Sequence, residues 1–441
     1  MKWYRHLLAL GISGVAARRC QNVSVALDLS FRSAVFDLDP PASTVEMTNF
    51  FLNLARQGHN YSNEVLTGYA TISGTYQIAA TFCTPDRGPG KTLQLLTHGL
   101  TLDRSYWDLP FHSPNYSYVA AAVDQYGYST FAWDLLGAGG SQRGDPVNEL
   151  QYNLQSAALA ELTAQLRAGA VRGVPPFARV VHVGHSYGAI QTYTLGVRHP
   201  AASDALVLTG FSHSPVGFAP FLLGGNFGAA AALPQLAGYS AGYFANSGEA
   251  GVQTGFFAPG NFDPAMLRYI FDTMSAAAVG EMLTLGPDLA VVSPFDGPVL
   301  VITGWLKKLG ESSAERDVGF CGGDCSITGD PSLSSLLDIT KSMIPNANPF
   351  QTFVVPNAGH LLNAEFTHPL AFKAILGFLS QNITLGDWSV DKCARLYRVV
   401  LSYLAHRVHV TYGATPVPKI LGNHFDAYYD ISGGGDNMKC R

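Results

Sequence analysis

The stretch RVVHVGHSYGAIQTYTLGVRH, residues 179–199, joins two patterns at a glycine-bounded turn. RVVHV (179–183) is a short, nearly continuous run of apolar and β-branched residues, which is typical of a strand buried on both faces. The segment YGAIQTYTLGVRH (187–199) has a helix-like composition. A strand that runs directly into a helix is the repeating unit of α/β proteins.

The same alternation continues on both sides of this stretch. Further strand-like runs are LQLLTHG (93–99), YSTFAWDLLG (128–137), DALVLTG (204–210), PVLVITG (298–304) and FQTFVVPNAGH (350–360). The clearest helix-like segments are NLQSAALAELTAQLRAG (153–169) and HPLAFKAILGFLS (368–380). This order predicts an α/β fold with a doubly wound, mostly parallel sheet. Ahead of it, GYATISGTYQIAATF (68–82) has two Thr/Ile/Tyr-rich halves around Ser73-Gly74 and predicts an antiparallel hairpin.

One long interval interrupts the alternation. Residues 205–248 contain no Asp, Glu, Lys or Arg and are rich in Gly, Ala, Phe and Leu. The region up to about residue 290 is too long for a single crossover, and Gly and Pro are too frequent in it for a membrane span. We predict a lid at about 211–290, inserted between the sixth and seventh strands. A helical crossover with a loose excursion is the alternative.

Composition limits the function classes. The 441 residues can form one large or two ordinary domains, and 47% are hydrophobic while 13% are charged, which is compatible with a large core. The net charge of −5, without a Lys/Arg run, gives no sign of a nucleic-acid partner. We expect the main domain to cover residues 18–380. Residues 381–441 do not fit the sheet pattern and form a C-terminal extension to which we assign no role.

The N-terminal segment resembles an export signal. In MKWYRHLLALGISGVAARRC (1–20) basic residues precede a short apolar run that ends in small residues, which predicts a signal peptide at 1–17. An ordinary first helix is the alternative. Glycosylation sequons begin at Asn22, Asn60, Asn115 and Asn382. We therefore expect a secreted glycoprotein without a stable membrane span.

The six cysteines are an even number, which favours disulfides in an oxidising compartment. Spacing does not determine connectivity, and we pair Cys20 with Cys83 and Cys321 with Cys325 as a guess. A zinc site is the weaker interpretation, because CGGDC (321–325) has no second Cys or His pair at ligand spacing.

The pattern G-x-S-x-G occurs twice, as GHSYG (184–188) and GYSAG (238–242). Only the first lies between a strand and a helix, the setting in which a serine on a tight turn is presented as a nucleophile. The helix N-terminus behind that turn can stabilise an anion through its N–H groups. We therefore select Ser186 as the candidate nucleophile and interpret Ser240 as a lid residue.

A serine nucleophile needs a histidine base and two N–H donors for the developing oxyanion. His360 ends the last strand-like run, in VVPNAGHLLNAEF, and is our candidate base; His368, which precedes a proline at a helix start, is the alternative. Tyr187 follows the nucleophile and supplies one donor. Leu100, after Gly99 in the loop HGLTLDRSYW, supplies the other, although a simple glycine turn is also compatible with this loop.

Taken in order, LLTHG, DLLGAGGS, GHSYG, PVLVITG and NAGH resemble the α/β-hydrolase superfamily. The longer segments TGYATISGTYQIAATFCTP, LQLLTHGLTLDRSYWDLPF, AAAVDQYGYSTFAWD and FCGGDC are similar to a group of secreted fungal α/β-hydrolases (AB hydrolase-1 type), over roughly residues 20–380. The resemblance implies an α/β-hydrolase fold, a Ser-acid-His hydrolase and a lid between the sixth and seventh strands. It does not specify a substrate.

The acid of this triad is expected after PVLVITG, because the loop after the preceding strand, GFSHSPVGFAP (210–220), contains no carboxylate. Glu311, Glu315, Asp317 and Asp324 are the options there. In the resembled group an acid follows the strand closely and FCGGDC comes next. Removing WLKKLGESSA (305–314) restores that spacing and selects Asp317, with Asp324 as the alternative. Residues 305–314 then form an insertion, and a catalytically impaired ligand-binding protein is a second hypothesis.

The leading hypothesis is a secreted serine hydrolase that cleaves a carboxylic ester, with lipophilic groups favoured by the uncharged lid. Peptidase, lactonase and cofactor-free peroxidase activities are the alternatives within the superfamily. The partner is a small-molecule ester, and no metal, nucleotide or flavin is implied. DLLGAGGS (134–141) is glycine-rich, but we interpret it as the loop after a strand.

Overall fold

Eleven strands occur in the computed structural model, which describes residues 18–305 and 317–383. They are β1 (Arg18–Phe36), β2 (Leu66–Pro85), β3 (Thr92–Thr97), β4 (Ser129–Trp133), β5 (Arg179–His185), β6 (Leu206–Thr209), β7 (Phe227–Ala229), β8 (Tyr243–Asn246), β9 (Ala277–Ala278), β10 (Val299–Trp305) and β11 (Phe350–Pro356). Eight of these strands form one sheet in the order β1-β2-β4-β3-β5-β6-β10-β11. β7, β8 and β9 form a separate small sheet.

The large sheet is mostly parallel. β4, β3, β5, β6, β10 and β11 pair in parallel, whereas β1–β2 and β2–β4 are antiparallel. The central strands are buried along their lengths; Leu95, Val181 and Val207 are completely inaccessible. Continuous apolar runs belong in such strands because both faces are covered. The predicted α/β fold with a mostly parallel sheet is confirmed.

Helices flank this sheet and build the insertion. They are α1 (Thr44–Leu54), α2 (Tyr61–Val65), α3 (Tyr118–Ala120), α4 (Tyr152–Ala168), α5 (Tyr187–Arg198), α6 (Phe218–Gly224), α7 (Glu249–Phe256), α8 (Pro264–Thr273), α9 (Val279–Leu283), α10 (Val318–Cys321), α11 (Thr340–Met343) and α12 (His368–Asn382). α4 contacts β1, α5 packs on β5 and β6, and α12 packs on β10 and β11. The two strongest predicted helices, 153–169 and 368–380, match α4 and α12.

The predicted hairpin at 68–82 is wrong. β2 is one continuous strand through Ser73 and Gly74, and its partner is β1, with Gly74 opposite Leu29. The sequence contains a signal for β1, because large apolar residues occupy every second position from Val25 to Phe31, the period of a half-buried strand. Pairing with the distant strand β1 therefore outweighs the local preference of Ser73-Gly74 for a turn.

The chain between β6 and β10 contains α6 to α9 and the three-stranded sheet. Strand β8 pairs antiparallel with both β7 and β9. The lid predicted at about 211–290 falls in this segment, which contains helices and a small sheet of its own. A second buried cluster joins it to α1, where Phe51 meets the rings of Phe227 and Phe244.

Both guessed cysteine pairs, Cys20–Cys83 and Cys321–Cys325, are disulfide-bonded. Cys20 and Cys83 lie opposite each other in the β1–β2 register. In the part of the chain that the structure describes, every helix is too short or too polar to span a bilayer. The predicted signal peptide, nearly all of the predicted insertion (from residue 306) and the extension beyond residue 383 lie outside the described residues.

Candidate active site

Ser186 occupies a sharp turn between β5 and α5. Its backbone has φ 56° and ψ −117°, a conformation that L-residues rarely adopt. The Ser186 N–H donates to the Thr209 carbonyl at the end of the neighbouring strand, at 2.9 Å. Strained residues of this kind persist where the surrounding structure holds them, and they cluster at functional sites.

Glycines make this turn possible. A Cβ at Gly184 would overlap the Gly188 carbonyl, and a Cβ at Gly188 would overlap the carbonyl oxygens of Thr97 and His98. A Cβ at Gly99 would lie 2.9 Å from the Ser186 Cβ, so the chain after β3 passes directly beside the serine. The two glycines of GHSYG and Gly99 therefore serve close backbone approach.

The two predicted oxyanion donors lie next to this serine. Tyr187 is the first residue of α5, where backbone N–H groups have no partner within the helix. Leu100 follows Gly99 in a turn closed by the Leu102 N–H and the Gly99 carbonyl, at 3.4 Å. His98 is satisfied within the same loop: Nε2 accepts from Leu135 N–H at 3.0 Å, which leaves Nδ1 to donate to the Gly99 carbonyl at 2.8 Å.

His360 lies in the loop after β11 and meets Asp317 after β10. Its Nδ1 is 3.1 Å from Asp317 Oδ1, and both side chains are buried. Because a carboxylate only accepts hydrogen bonds, Nδ1 carries the proton and Nε2 is left as the acceptor nitrogen. Nε2 is buried and has no partner among the described residues.

Asp317 is held by three donors. Oδ1 accepts from Phe320 N–H at 3.0 Å as well as from His360, and Oδ2 accepts from the Thr303 hydroxyl. Burial by itself raises the pKa of Asp317, but the charge interaction with His360 and these hydrogen bonds together hold that pKa below its usual range. The side chain is therefore a carboxylate at neutral pH.

The loop that carries His360 is fixed from two sides. A Cβ at Gly304, in β10, would overlap the Ala358 and Gly359 carbonyls, so β10 and this loop are in close contact. Glu365 accepts from Gly359 N–H at 2.6 Å and also from the backbone of Ala258 in the inserted segment. Burial raises the pKa of Glu365 to about 8.

Ser186 and His360 line one cavity of about 600 Å³. Tyr187 and Leu100 also line it, and most of the remaining wall is apolar. The inserted segment contributes Phe218, Phe221, Met282 and Leu285, and α1 contributes Leu54. No Asp, Glu, Lys or Arg is among the described residues of this wall. Among the residues that the structure describes, the Ser186 hydroxyl and His360 are not hydrogen-bonded to each other.

The alternative candidates from the sequence lie elsewhere. Ser240 is exposed in a loop of the inserted segment. His368 bonds the Glu365 carbonyl at 2.7 Å and packs against Phe372. The alternative acid, Asp324, accepts from Ser326 in its own turn rather than from His360. DLLGAGGS follows β4 as a loop, in which Asp134 accepts from Gly140 N–H at 2.8 Å and pairs with Arg104.

Two supporting residues were missed from the sequence. The sequence places Thr303 only in a strand, but its hydroxyl donates a hydrogen bond to the acid, Asp317. Glu365 stands as a lone acid in the apolar stretch HLLNAEF, which was the available signal. A carboxyl group in an apolar stretch is rarely buried unless specific hydrogen-bond donors pair with it.

Asp317, His360 and Ser186 come from loops at the carboxyl ends of β10, β11 and β5, the arrangement of α/β-hydrolases. The chain belongs to the alpha/beta hydrolase family, whose model matches residues 94–374, more than half of the chain. None of the curated proteins matches the chain by sequence, so the narrower similarity to secreted fungal hydrolases stays a prediction.

Solved structures with similar folds include a thermophilic esterase from Thermogutta terrifontis, at 18% identity and a TM-score of 0.48, covering 70% of this chain and 96% of that one. A hydrolase from Pseudomonas aeruginosa has 19% identity and a TM-score of 0.44, covering 69% and 95%. An enol-lactonase from Burkholderia xenovorans has 16% identity and a TM-score of 0.42, covering 69% and 97%.

Proposed function

We propose that the protein is a serine hydrolase that cleaves carboxylic esters, with Ser186 as nucleophile, His360 as base and Asp317 as the acid that orients the base. The observation that carries the proposal is the contact between His360 Nδ1 and the buried Asp317 carboxylate, at 3.1 Å. It leaves His360 Nε2 without a hydrogen-bond partner among the described residues, and His360 lines the cavity that Ser186 also lines. This is the division of roles that activates a serine hydroxyl.

The reaction follows from these positions. Ser186 Oγ attacks the ester carbonyl carbon while Nε2 of His360 takes its proton, and the Asp317 carboxylate stabilises the imidazolium that forms. The N–H groups of Leu100 and Tyr187 bind the oxyanion of the tetrahedral intermediate. Its collapse returns the proton to the leaving alcohol and forms an acyl-enzyme. Water, deprotonated by His360, then releases the carboxylic acid and restores the serine.

The cavity supports an ester with lipophilic groups. Phe218, Phe221, Met282, Leu285 and Leu54 present apolar side chains beside Ser186. A charged acyl or alcohol group would lose its hydration there without gaining an opposite charge. The apolar wall selects for hydrocarbon surface on the substrate, and the triad acts on its carbonyl carbon.

We further propose that the protein is secreted and glycosylated, after removal of residues 1–17. The two disulfides support the location of the protein in an oxidising compartment. Asn22, Asn60 and Asn115 are exposed, as glycan acceptors must be.

The test is hydrolysis of p-nitrophenyl esters from acetate to laurate, together with covalent labelling by a fluorophosphonate. We expect the full-length protein to show both activities. S186A should lower kcat/KM by about 10⁴-fold or more and abolish labelling, because the nucleophile is gone.

The matched control is S240A, which removes the exposed serine of the second G-x-S-x-G. Its activity and labelling should equal those of the unmodified protein. Labelling that survives in S186A, or disappears in S240A, contradicts the proposal. Labelling at Ser186 without turnover of any ester retains the nucleophile and rejects the substrate class.

A further inference from the structure

One histidine in the cavity wall has no role in the proposed reaction. His213 follows β6, between Ser212 and Ser214, and lines the cavity together with Ser186. Among the described residues of the wall it is the one imidazole besides His360, and its neighbours there include the apolar side chains of Phe218 and Leu289.

The two ring nitrogens of His213 differ. Nδ1 is bonded to the hydroxyl of Thr340 at 3.1 Å, on the side of α11. Nε2 is buried and has no hydrogen-bond partner among the described residues. A buried polar atom without a partner costs about 1–3 kcal/mol, so such an atom in a binding cavity indicates a ligand group that pairs with it.

The ring is held in this orientation by more than one contact. Tyr193 and Phe211 meet it edge to face, with ring centroids 4.5 Å and 5.0 Å away. The Tyr193 hydroxyl is itself anchored to the Val291 carbonyl at 2.6 Å. Nε2 is therefore a fixed hydrogen-bonding position and not one of several rotamers.

The neutral form of the ring selects the chemistry of its partner. Burial lowers the pKa of His213 to about 4, so the ring is uncharged at neutral pH. Depending on how the Thr340 hydroxyl is turned, Nε2 either donates or accepts. An alcohol hydroxyl can satisfy either form, whereas an ammonium group satisfies only one and would also be desolvated in a wall without acidic side chains.

We infer that His213 Nε2 binds a hydroxyl group carried by the substrate at a distance from the scissile ester, so that the preferred substrates are hydroxylated lipophilic esters. The inference rests on the proposed function and adds a specificity-determining residue to it. A site built to pair with a hydroxyl rejects the analogue that lacks it, because the buried nitrogen then stays unpaired.

The competing explanation is that His213 only links the chain after β6 to α11 through Thr340. Loss of such a link would weaken the protein, or its binding of every ligand, to the same extent. Selectivity between two ligands that differ by one hydroxyl separates the two explanations.

The experiment measures equilibrium binding to the full-length S186A protein, which cannot turn its ligands over. The ligands are methyl esters of hydroxyalkanoic acids with the hydroxyl moved along the chain, each compared with the unsubstituted ester of equal length. At one hydroxyl position we expect about tenfold tighter binding than that of the plain ester, the worth of one buried hydrogen bond.

Substitutions of His213, each made in the S186A protein, test its role. H213F keeps an aromatic ring against Tyr193 and Phe211 but has no nitrogen, and it should abolish the preference while leaving plain-ester binding within about threefold, because only the hydroxyl loses its partner. H213Q places an amide near the position of Nε2 and should retain part of the preference. H213L is a second deletion in case H213F does not fold. A preference that survives in H213F or H213L, or that is absent at every position in S186A, overturns the inference.

Hydrolysis of the same esters by the protein with Ser186 intact is measured in parallel. Binding preference without any hydrolysis upholds the role of His213 and rejects the proposed ester hydrolase. Hydrolysis of plain and hydroxylated esters at equal rates, with no binding preference in S186A, upholds the hydrolase and rejects the role of His213.

Discussion

At the scale of single residues, the choice between two nearby carboxylates defines the candidate site. Asp317 and Asp324 are seven positions apart, and only Asp317 meets His360. Asp317 also accepts hydrogen bonds from Thr303 and Phe320, so the carboxylate cannot turn away from the histidine without losing other hydrogen bonds. This arrangement holds the imidazole in the form that has Nε2 free to accept a proton.

We expect D317N to lower kcat for p-nitrophenyl ester hydrolysis by about 10⁴-fold with a small change in KM, because an amide facing His360 Nδ1 favours the other tautomer. Steady-state kinetics and the rate of fluorophosphonate labelling measure this effect. The control is D324N, whose native carboxylate serves only its own turn at Ser326 and whose kcat should stay within about twofold of the native value. Equal losses in the two variants would show that Asp317 has no special role.

At the scale of elements, Gly188 in α5 and Gly377 in α12 have opposite surroundings. Gly188 lies in the first turn of α5 against the carbonyls of Thr97 and His98, at the crossing with the chain after β3. Gly377, in α12, has open space where a Cβ would be. The first glycine is needed for packing, and the second only reduces helix propensity.

The substitutions G188A and G377A should therefore have opposite effects on the free energy of unfolding. G188A is expected to destabilise by about 1–3 kcal/mol or more, because β3 and α5 must separate to admit the methyl group. G377A should stabilise by about 0.5–1 kcal/mol through higher helix propensity. Urea unfolding followed by circular dichroism measures both. A stabilising G188A would mean that α5 does not cross the chain after β3 as closely as described.

At the scale of the whole molecule, buried ionisable groups make stability depend on pH in both directions. Burial raises the pKa of Glu281 to about 7, and it lowers the pKa of His182 to about 3. Glu281 accepts from Ala278 N–H at 3.0 Å and from the Gln155 amide at 2.9 Å, and so connects α9 of the inserted segment to α4. The carboxyl and the imidazole oppose each other because each prefers its neutral form when buried.

We expect the E281Q variant to isolate the carboxyl contribution. The folded pKa of Glu281 is raised above its ordinary value of 4.5, so its contribution to stability is fully present below about pH 4.5 and is lost as pH rises through about 7. The difference in unfolding free energy between the native protein and E281Q should therefore fall by roughly 3 kcal/mol from about pH 5 to about pH 8. The contribution of His182 cancels in this difference because both proteins contain His182. Urea titrations at these pH values test the expectation, which a difference independent of pH contradicts.

Much of the fold could be predicted from local patterns. The apolar runs around Leu95, Val181 and Val207 predicted buried parallel strands, because a strand covered on both faces has no polar position. The two matches to G-x-S-x-G were separated by their flanks alone, since the turn at Ser186 needs a strand before it and a helix after it. The guessed pairs of cysteines also agreed with the structure.

The sequence by itself thus determined the fold class, the elements around Ser186 and the place of the inserted segment, because these depend on sterics and burial within a few residues. The tertiary structure alone decided that β2 pairs with β1 instead of folding back on itself, that Asp317 and not Asp324 meets His360, and that Glu365 joins the histidine loop to the inserted segment. Each of these is a contact between residues far apart in the chain or a choice among similar residues in one loop. Such choices are made by packing and by pairing of buried polar groups, which leave no periodic trace in the sequence.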